Sequence, residues 1–183
     1  LLGRGGMGSV WRCHHLELMS DVALKVIKPE VAKNQNSVAR FMREAKAAAM
    51  LRSPHVVQIL EHGTEGSIIY IAMELLEGDS LLGWLRDRGV LEPRLVATVM
   101  THVGRAMQKA HDAGIVHRDL KPDNIFVCEG LSGRLDDPRV LDFGISKLEE
   151  DASKPLTRSG VMMGTPYYMS FEQISSQRDL DQR

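Results

Sequence analysis

Residues 117–124 read HRDLKPDN and stand between two short apolar runs. The segment combines a carboxylate at Asp119, an ammonium group at Lys121 and a carboxamide at Asn124, and Pro122 restricts its backbone. In a loop held at both ends, the carboxylate could take a proton from a hydroxyl, the lysine could meet an anion, and the amide oxygen could bind a hard cation. The same residue types also occur in ordinary solvated turns, so the segment alone leaves both interpretations open.

The composition is that of a globular protein, with 43% hydrophobic and 26% charged residues in 183. A formal net charge of −1 gives no overall field that would favour nucleic acid, which is not expected as a partner. Cys13 and Cys128 form no CxxC motif, so they predict neither a disulfide framework nor a cysteine zinc site, and they favour a reducing, cytoplasmic environment. The most apolar run, residues 68–76, is too short to cross a bilayer, although membrane anchoring of a longer parent protein stays open.

The amino terminus is rich in glycine. Residues 1–11 read LLGRGGMGSVW, with Gly3, Gly5 and Gly8 in G-x-G-x-x-G spacing. Closely spaced glycines let backbone N–H groups approach phosphate oxygens without a Cβ in the way. Because residues 9–13 resemble a returning strand and not a helix, the pattern predicts a β-hairpin and argues against a dinucleotide-binding fold. A flexible hairpin turn without a ligand is the alternative.

A lysine stands in the middle of the next predicted strand. Residues 21–27 read DVALKVI, and Lys25 in this apolar setting calls for an anionic partner, unless its ammonium group reaches water along the strand. The helical pattern of residues 37–51 offers Glu44 as that partner. Glu44 could equally pair with Arg40, one turn earlier in the same helix.

The remaining pattern divides a strand-rich first part from a helix-rich second part. Strands are expected at 54–60 and 67–76 around a turn at 63–66, helices at 81–88 and 93–113, and short strands at 125–128 and 138–141. Residues 77–80 break the strand pattern, so the boundary is placed near residue 77. Asp142 follows the last strand directly and could hold a cation beside a phosphate, or belong to a simple strand-end turn.

Taken in order, these motifs resemble the protein kinase family over almost the whole chain. They are Gly3-x-Gly5-x-x-Gly8-x-Val10, Val22-Ala23-Leu24-Lys25, Glu44 in a helix, the 117–124 loop, Asp142-Phe143-Gly144 and the run 164–172. The Gly-Gly-Met-Gly turn, D-F-G-I-S-K and P-Y-Y-M-S-x-E-Q are similar to the bacterial branch of eukaryotic-like serine/threonine kinases. The resemblance implies an α+β, bilobal fold. Residues 1–76 would form the N-lobe, an antiparallel β-sheet with one key helix, and this lobe would end in the hinge. Residues 77–183 would form a mainly helical C-lobe, truncated before its long central helix.

The resemblance also implies ATP and Mg²⁺ as cofactors and assigns roles to residues. Asp119, Lys121 and Asn124 would be catalytic, and Asn124 and Asp142 would bind the metal. Val10 and Ala23 would cover the adenine, Phe126 would lie beneath it, Met73 would be the gatekeeper, and backbone groups of Glu74 and Leu76 would bind its edge. The full set assigned to nucleotide binding is Leu2, Gly3, Arg4, Gly5, Gly6, Met7, Gly8, Ser9, Val10, Ala23, Lys25, Glu44, Met73, Glu74, Leu76, Phe126 and Asp142.

Substrate and regulation follow from the same resemblance. Lys121 and Thr165 fit kinases that phosphorylate serine or threonine in proteins. Phosphorylation is expected at Thr157 or Ser159, carried out by the kinase itself, in a dimer of kinase copies. Arg118 and Lys147 are expected to contact that phosphate.

The sequence departs from the family at Ser170-Phe171-Glu172, where a proline usually precedes the glutamate. Because the sequence stops before the central helix, it is interpreted as a fragment, and its activity in isolation stays open. Two alternatives remain, a nucleotide-binding pseudokinase that acts as a scaffold and a kinase-fold enzyme for small molecules. The pseudokinase is disfavoured because the chain retains Lys25, Asp119, Asn124 and Asp142. The small-molecule enzyme is disfavoured by Lys121 and the run 164–172.

Overall fold

In this computed structural model, residues 1–5, 8–33, 35–129, 135–143, 166–175 and 181 are described, with side chains left out at residues 35–37, 40, 44, 129, 135, 136 and 166. These residues form two antiparallel sheets and several helices, which confirms the expected α+β class.

The first sheet has five strands in the order β1-β2-β3-β5-β4. Its strands are β1 (Gly3–Arg4), β2 (Gly8–His15), β3 (Ser20–Ile27), β4 (Ile59–Glu65) and β5 (Ile68–Glu74). Helices α1 (Pro29–Ala32) and α2 (Gln35–Met50) separate β3 from β4. Helix α2 buries Phe41 and Ala45, one helical turn apart, against Ile27, Ile69 and Ile71 of the sheet.

The second sheet has three strands in the order β6-β7-β8. Its strands are β6 (Gly78–Ser80), β7 (Ile125–Glu129) and β8 (Leu135–Val140). It is joined by helices α3 (Leu81–Arg88) and α4 (Pro93–Asp112), a 3₁₀ turn at Pro122–Asn124, a second at Pro166–Tyr168, and the short helix α5 (Phe171–Ile174).

Helix α4 carries the core beneath this second sheet. Val99, Val103, Ala106 and Ala110 are buried at the spacing of one helical face. They pack with buried residues of the second sheet and its surroundings, which are Leu51, Val56, Ile125, Val127, Val140 and Phe143.

The segment between α2 and β4 links the two sheets. Val56 forms a parallel bridge with Val140 of β8, where the Val57 N–H donates to the Val140 carbonyl at 3.0 Å and the Val140 N–H donates to the His55 carbonyl at 2.9 Å. Val56 and Val57 are 1% and 4% exposed. Their apolar run therefore seals the junction of the two sheets.

This junction explains the main error in the predicted elements. The strand expected at 54–60 is wrong, because its apolar residues bind β8 while β4 spans Ile59–Glu65. The turn between β4 and β5 lies at Gly66, whose φ of 58° favours glycine. The break expected at 77–80 contains the short strand β6, and α1 was not predicted. The strands predicted at 9–13 and 21–27 and the helices at 37–51, 81–88 and 93–113 are confirmed.

Among the described residues, no helix combines the length and the apolar character needed to cross a membrane.

Candidate active site

The 117–124 loop is supported from below by a buried histidine. His117 is 2% exposed, its Nε2 lies 3.0 Å from the Leu141 carbonyl oxygen, and its Nδ1 accepts the Asp119 N–H at 3.2 Å. Because a backbone N–H can only donate, Nδ1 is the acceptor and Nε2 carries the proton. Burial lowers the pKa of His117 despite the nearby carboxylates, so the ring is neutral. It braces the loop against the chain leading to Asp142.

The three polar groups of this loop do converge. Lys121 Nζ lies 3.0 Å from Asp119 Oδ2, and Asn124 Nδ2 donates to the same oxygen at 3.1 Å and to the Asp119 carbonyl at 2.8 Å. The 3₁₀ turn places Asn124 there, and its side chain is largely buried. Since the amide nitrogen faces Asp119, the carboxamide oxygen is the atom left to accept a hydrogen bond or a cation.

A second charged pair lies across the cleft between the sheets. Lys25 Nζ of β3 is 2.6 Å from Asp142 Oδ1, and the two side chains are 15% and 50% exposed. The Leu141 N–H donates to the Asn124 carbonyl at 2.9 Å, so Asp142 follows a residue tied to the loop. The side chain of Glu44, the expected partner of Lys25, lies outside the described residues, and that pairing stays a prediction.

Two residues of the site have backbones in the left-handed region. Arg118 has a φ of 62° and Asp142 a φ of 44°. Such conformations cost non-glycine residues about 1–3 kcal/mol and cluster at functional sites. A side chain of α5 holds the backbone of Arg118, and the Arg118 side chain is partly buried. The Arg118 carbonyl accepts a hydrogen bond from Gln173 Nε2 at 2.5 Å, and burial lowers the pKa of its guanidinium.

Strand register places the predicted adenine contacts on one face of the first sheet. Val10 stands opposite Lys25, and Ala23 stands opposite Met73. Directly opposed residues of antiparallel strands share a face, and alternate residues of one strand do so too. Val10, Ala23 and Met73 therefore lie on the same face as Lys25. A pocket next to this face is lined by Lys25, Ala45, Ala48, Val57, Ile59, Ile71, Met73, Asp142 and Phe143.

The glycines of the amino-terminal hairpin differ in what surrounds them. A Cβ at Gly8 would lie 2.1 Å from the Val26 carbonyl oxygen, so the pairing of β2 with β3 requires glycine there. Among the described residues, a Cβ at Gly3 or Gly5 would meet nothing within 4 Å. Glycine at these two positions keeps open a space that the described chain does not fill, as a phosphate cradle requires. Gly6 and Met7 lie outside the described residues.

The side chain of Glu74, at the end of β5, is engaged in contacts within the fold. Its Oε1 accepts the Gln58 N–H at 2.8 Å, its own N–H donates to the Gln58 carbonyl at 3.0 Å, and Arg139 Nη1 lies 3.7 Å from Oε1. The carboxylate thus fixes the strand end, while Leu76 follows it, partly buried.

Phe126 of β7 is partly buried between buried Ile125 and Val127, so strand alternation places it on the face away from the core.

Sequence reasoning missed the contribution of α5. Ser170 caps this helix, since its hydroxyl accepts the Gln173 N–H at 3.3 Å while Gln173 Oε1 accepts the Ser170 N–H at 3.0 Å. The signal was readable, because Ser-x-x-Gln is the pattern of a capping box. Through Gln173, this cap reaches Arg118. Lys147, Thr157, Ser159 and Thr165 lie outside the described residues.

Comparison with known proteins agrees with this geometry. The family model described as protein kinase domain matches residues 1–182. The serine/threonine-protein kinase pkn3 of Myxococcus xanthus is 42% identical over 186 residues, which cover 100% of this chain and 34% of that protein. PknA of Mycobacterium tuberculosis is 38% identical over 178 residues, which cover 94% of this chain and 40% of that protein. The chain thus spans well under half the length of these relatives.

The crystal structure of a point mutant of the Mycobacterium tuberculosis PknI kinase domain has the same fold. It matches with a TM-score of 0.70 and 28% sequence identity over 98% of this chain and 64% of that one.

Proposed function

This chain belongs to the protein kinase domain family, and on that premise we propose that it is catalytic sequence of an ATP-dependent serine/threonine protein kinase of the bacterial, eukaryotic-like branch. The observation that carries the proposal is that the Lys25–Asp142 pair and the cluster of Asp119, Lys121 and Asn124 are tied together through Leu141, whose N–H donates to the Asn124 carbonyl. We further propose residues 1–76 as the N-lobe and 77–183 as part of the C-lobe, with the cleft between them as the active site.

The open space at Gly3 and Gly5 supports a nucleotide site beneath the hairpin. We assign the phosphates to the hairpin and Lys25, and the adenine to the sheet face that carries Val10, Ala23 and Met73. The remaining proposed nucleotide contacts are Leu2, Arg4, Gly6, Met7, Gly8, Ser9, Glu44, Phe126 and backbone groups of Glu74 and Leu76.

Asp142 and Asn124 are the proposed metal ligands. A half-exposed carboxylate and a carboxamide oxygen are the hard donors that Mg²⁺ prefers, and the two are joined through the Leu141–Asn124 hydrogen bond. Mg²⁺ bound there would offset the negative charge of the ATP phosphates.

The chain's own residues can then carry out the transfer. Asp119 orients the serine or threonine hydroxyl of a protein substrate and accepts its proton. The hydroxyl oxygen forms a bond to the γ-phosphorus, and the bond from that phosphorus to the β–γ bridging oxygen breaks, which releases ADP. Lys121, 3.0 Å from Asp119, balances the charge on the transferred group.

We also propose that protein chains with serine or threonine acceptors are the substrates, that two copies of the kinase phosphorylate each other at Thr157 or Ser159, and that the catalytic domain works in the cytoplasm, with no nucleic-acid partner. The named serine/threonine-protein kinases among the relatives support the substrate class.

The test is transfer of labelled γ-phosphate from ATP to a protein acceptor such as casein, followed by phosphoamino-acid identification. Wild-type protein should form phosphoserine or phosphothreonine, and Asp119→Asn should lose at least about 10²-fold in rate. Asp123→Asn is the matched control, an exposed carboxylate in the same turn, and should keep the rate. Nucleotide binding without any transfer would show a pseudokinase, and transfer confined to small molecules would refute protein substrates.

A further inference from the structure

Three side chains with metal-ligating atoms meet outside the candidate active site. They are His55, between α2 and β4, His102 of α4 and Asp137 of β8, all partly buried, and their ligand atoms lie within 4.8 Å of one another. We propose that these three side chains bind a divalent transition-metal ion of the zinc type, which ties the three elements together. This inference is independent of the proposed kinase activity.

The two imidazoles are already adjacent and carry unused nitrogens. Their ring centroids are 4.3 Å apart with 30° between the ring planes. The Nδ1 atoms of His55 and His102 are both buried without a hydrogen-bond partner in the described part of the chain. A buried polar atom left unpaired costs free energy and calls for a water molecule or an ion. Imidazole nitrogen is a preferred ligand of zinc.

Charged groups of both signs surround His55. Burial lowers its pKa first, and the charges of His102, Arg105 and Arg139 lower it further, while Asp137 acts in the opposite direction. A metal ion binds imidazole through a ring nitrogen that carries no proton. The negative charge of Asp137 would offset the repulsion between a bound metal ion and the two arginines.

Asp137 completes the set with an oriented carboxylate. Its Oδ2 accepts a hydrogen bond from Arg139 Nη2 at 2.6 Å, and its side chain is 42% exposed. A tetrahedral zinc ion with bonds of about 2.1 Å holds its ligand atoms roughly 3.4 Å apart. The three ligand atoms lie within 4.8 Å of one another, so both imidazoles and the carboxylate would turn toward the ion as it binds. Three protein ligands leave the fourth position to water.

The backbones that carry the ligands are fixed in the core. The His55 carbonyl accepts the Val140 N–H at 2.9 Å, and Val56, Val103 and Pro138, each next to a ligand residue, are buried. Such support preorganises a site, because little ordering is needed when the ion arrives. A bound ion would reinforce the junction at which the α2–β4 segment joins the second sheet.

The test is calorimetric titration of Zn²⁺ into chelator-treated protein in buffer with excess Mg²⁺. We expect one ion per chain, and at least tenfold weaker binding in His102→Asn and in Asp137→Asn. His111→Asn, on the same helix but outside the cluster, and Asp142→Asn, in the candidate active site, should keep the wild-type affinity.

Thermal unfolding provides a second readout. One equivalent of Zn²⁺ should raise the Tm of the wild type and of His111→Asn but not of Asp137→Asn. Because the Asp137 side chain is 42% exposed, Asp137→Asn should fold even if His102→Asn does not. The proposal is overturned if the wild type binds no Zn²⁺ at 100 μM, roughly the weakest affinity of interest for a specific site, or if Asp137→Asn binds and melts like the wild type.

Discussion

The ammonium group of Lys25 lies 2.6 Å from Oδ1 of Asp142, although 117 residues separate them in sequence. The contact joins β3 of the first sheet to the chain that follows β8 of the second. Because the loop with Asp119 is tied to the same chain through His117, this ion pair places both halves of the cleft in one site.

Replacement of Lys25 by methionine should weaken ATP binding. The variant keeps the apolar stem but removes the charge that would meet phosphate oxygens, and a charge-assisted hydrogen bond contributes about 1.5–3 kcal/mol, or roughly tenfold to a hundredfold in affinity. Calorimetric titration with ATP and Mg²⁺ measures the effect. Lys33→Met, an exposed lysine after α1, is the control, and equal affinities of the two variants would contradict the assignment.

Alanine substitutions at two hairpin glycines should have different effects on stability and on ATP binding. Gly8→Ala would bring a Cβ to 2.1 Å from the Val26 carbonyl oxygen and should lower the free energy of unfolding by about 1–3 kcal/mol. A Cβ in Gly5→Ala meets no atom of the described residues within 4 Å, so the free energy of unfolding should change little while ATP affinity falls. Urea unfolding and ATP titration of both variants test this. A Gly5→Ala variant with wild-type ATP affinity would show that the hairpin does not cover the phosphates.

Phe171→Pro should be more stable than Phe171→Ala. Phe171 is the first residue of α5, where proline is favoured, and its side chain is 73% exposed. Ser170 before it has φ −68° and ψ 161°, which a residue before proline accepts. We expect a gain of about 0.4–1 kcal/mol over Phe171→Ala in urea unfolding, because proline restricts the unfolded chain. A Phe171→Pro variant less stable than Phe171→Ala would show that the backbone at residue 171 does not accept proline.

These contrasts show what the sequence could predict. The polar groups of the 117–124 loop are near neighbours in sequence, so their convergence follows from one short segment with a fixing proline. The placement of Lys25 and Asp142 in the same site, in contrast, was expected only through the family resemblance, since no local pattern spans the 117 residues between them.

The errors have a similar cause. Residues 56 and 57 are as apolar as a strand of the first sheet, but their partner is Val140, far along the chain, so local periodicity misplaced β4. The cluster of His55, His102 and Asp137 has no sequence motif at all. It arises because three separate elements meet at one junction.

The buried His117 should make stability depend on pH. Its pKa in the folded protein lies below the usual value of about 6.5, so the unfolded chain binds a proton that the folded chain does not. The contribution is present above pH 6.5 and is lost as the pH falls toward the folded pKa, by up to about 1.4 kcal/mol per pH unit. Urea unfolding at pH 7.5, 6.5 and 5.5 measures it.

His117→Asn should flatten this dependence, although it lowers stability at every pH. Because the pKa of His55 is also lowered, the free energy of unfolding of the variant will still depend on pH, with a smaller slope. An identical slope in wild type and variant would show that His117 is not buried in the neutral form.

The most direct test of the account compares ATP binding and phosphate transfer on the same preparations of wild type, Asp119→Asn and Asp142→Asn. If Asp119 accepts the substrate proton and Asp142 holds the metal, Asp119→Asn should bind ATP and Mg²⁺ like the wild type and lose transfer by at least about 10²-fold. Asp142→Asn should lose the Mg²⁺ dependence of ATP binding as well as transfer. Transfer by Asp119→Asn at the wild-type rate would contradict the central claim.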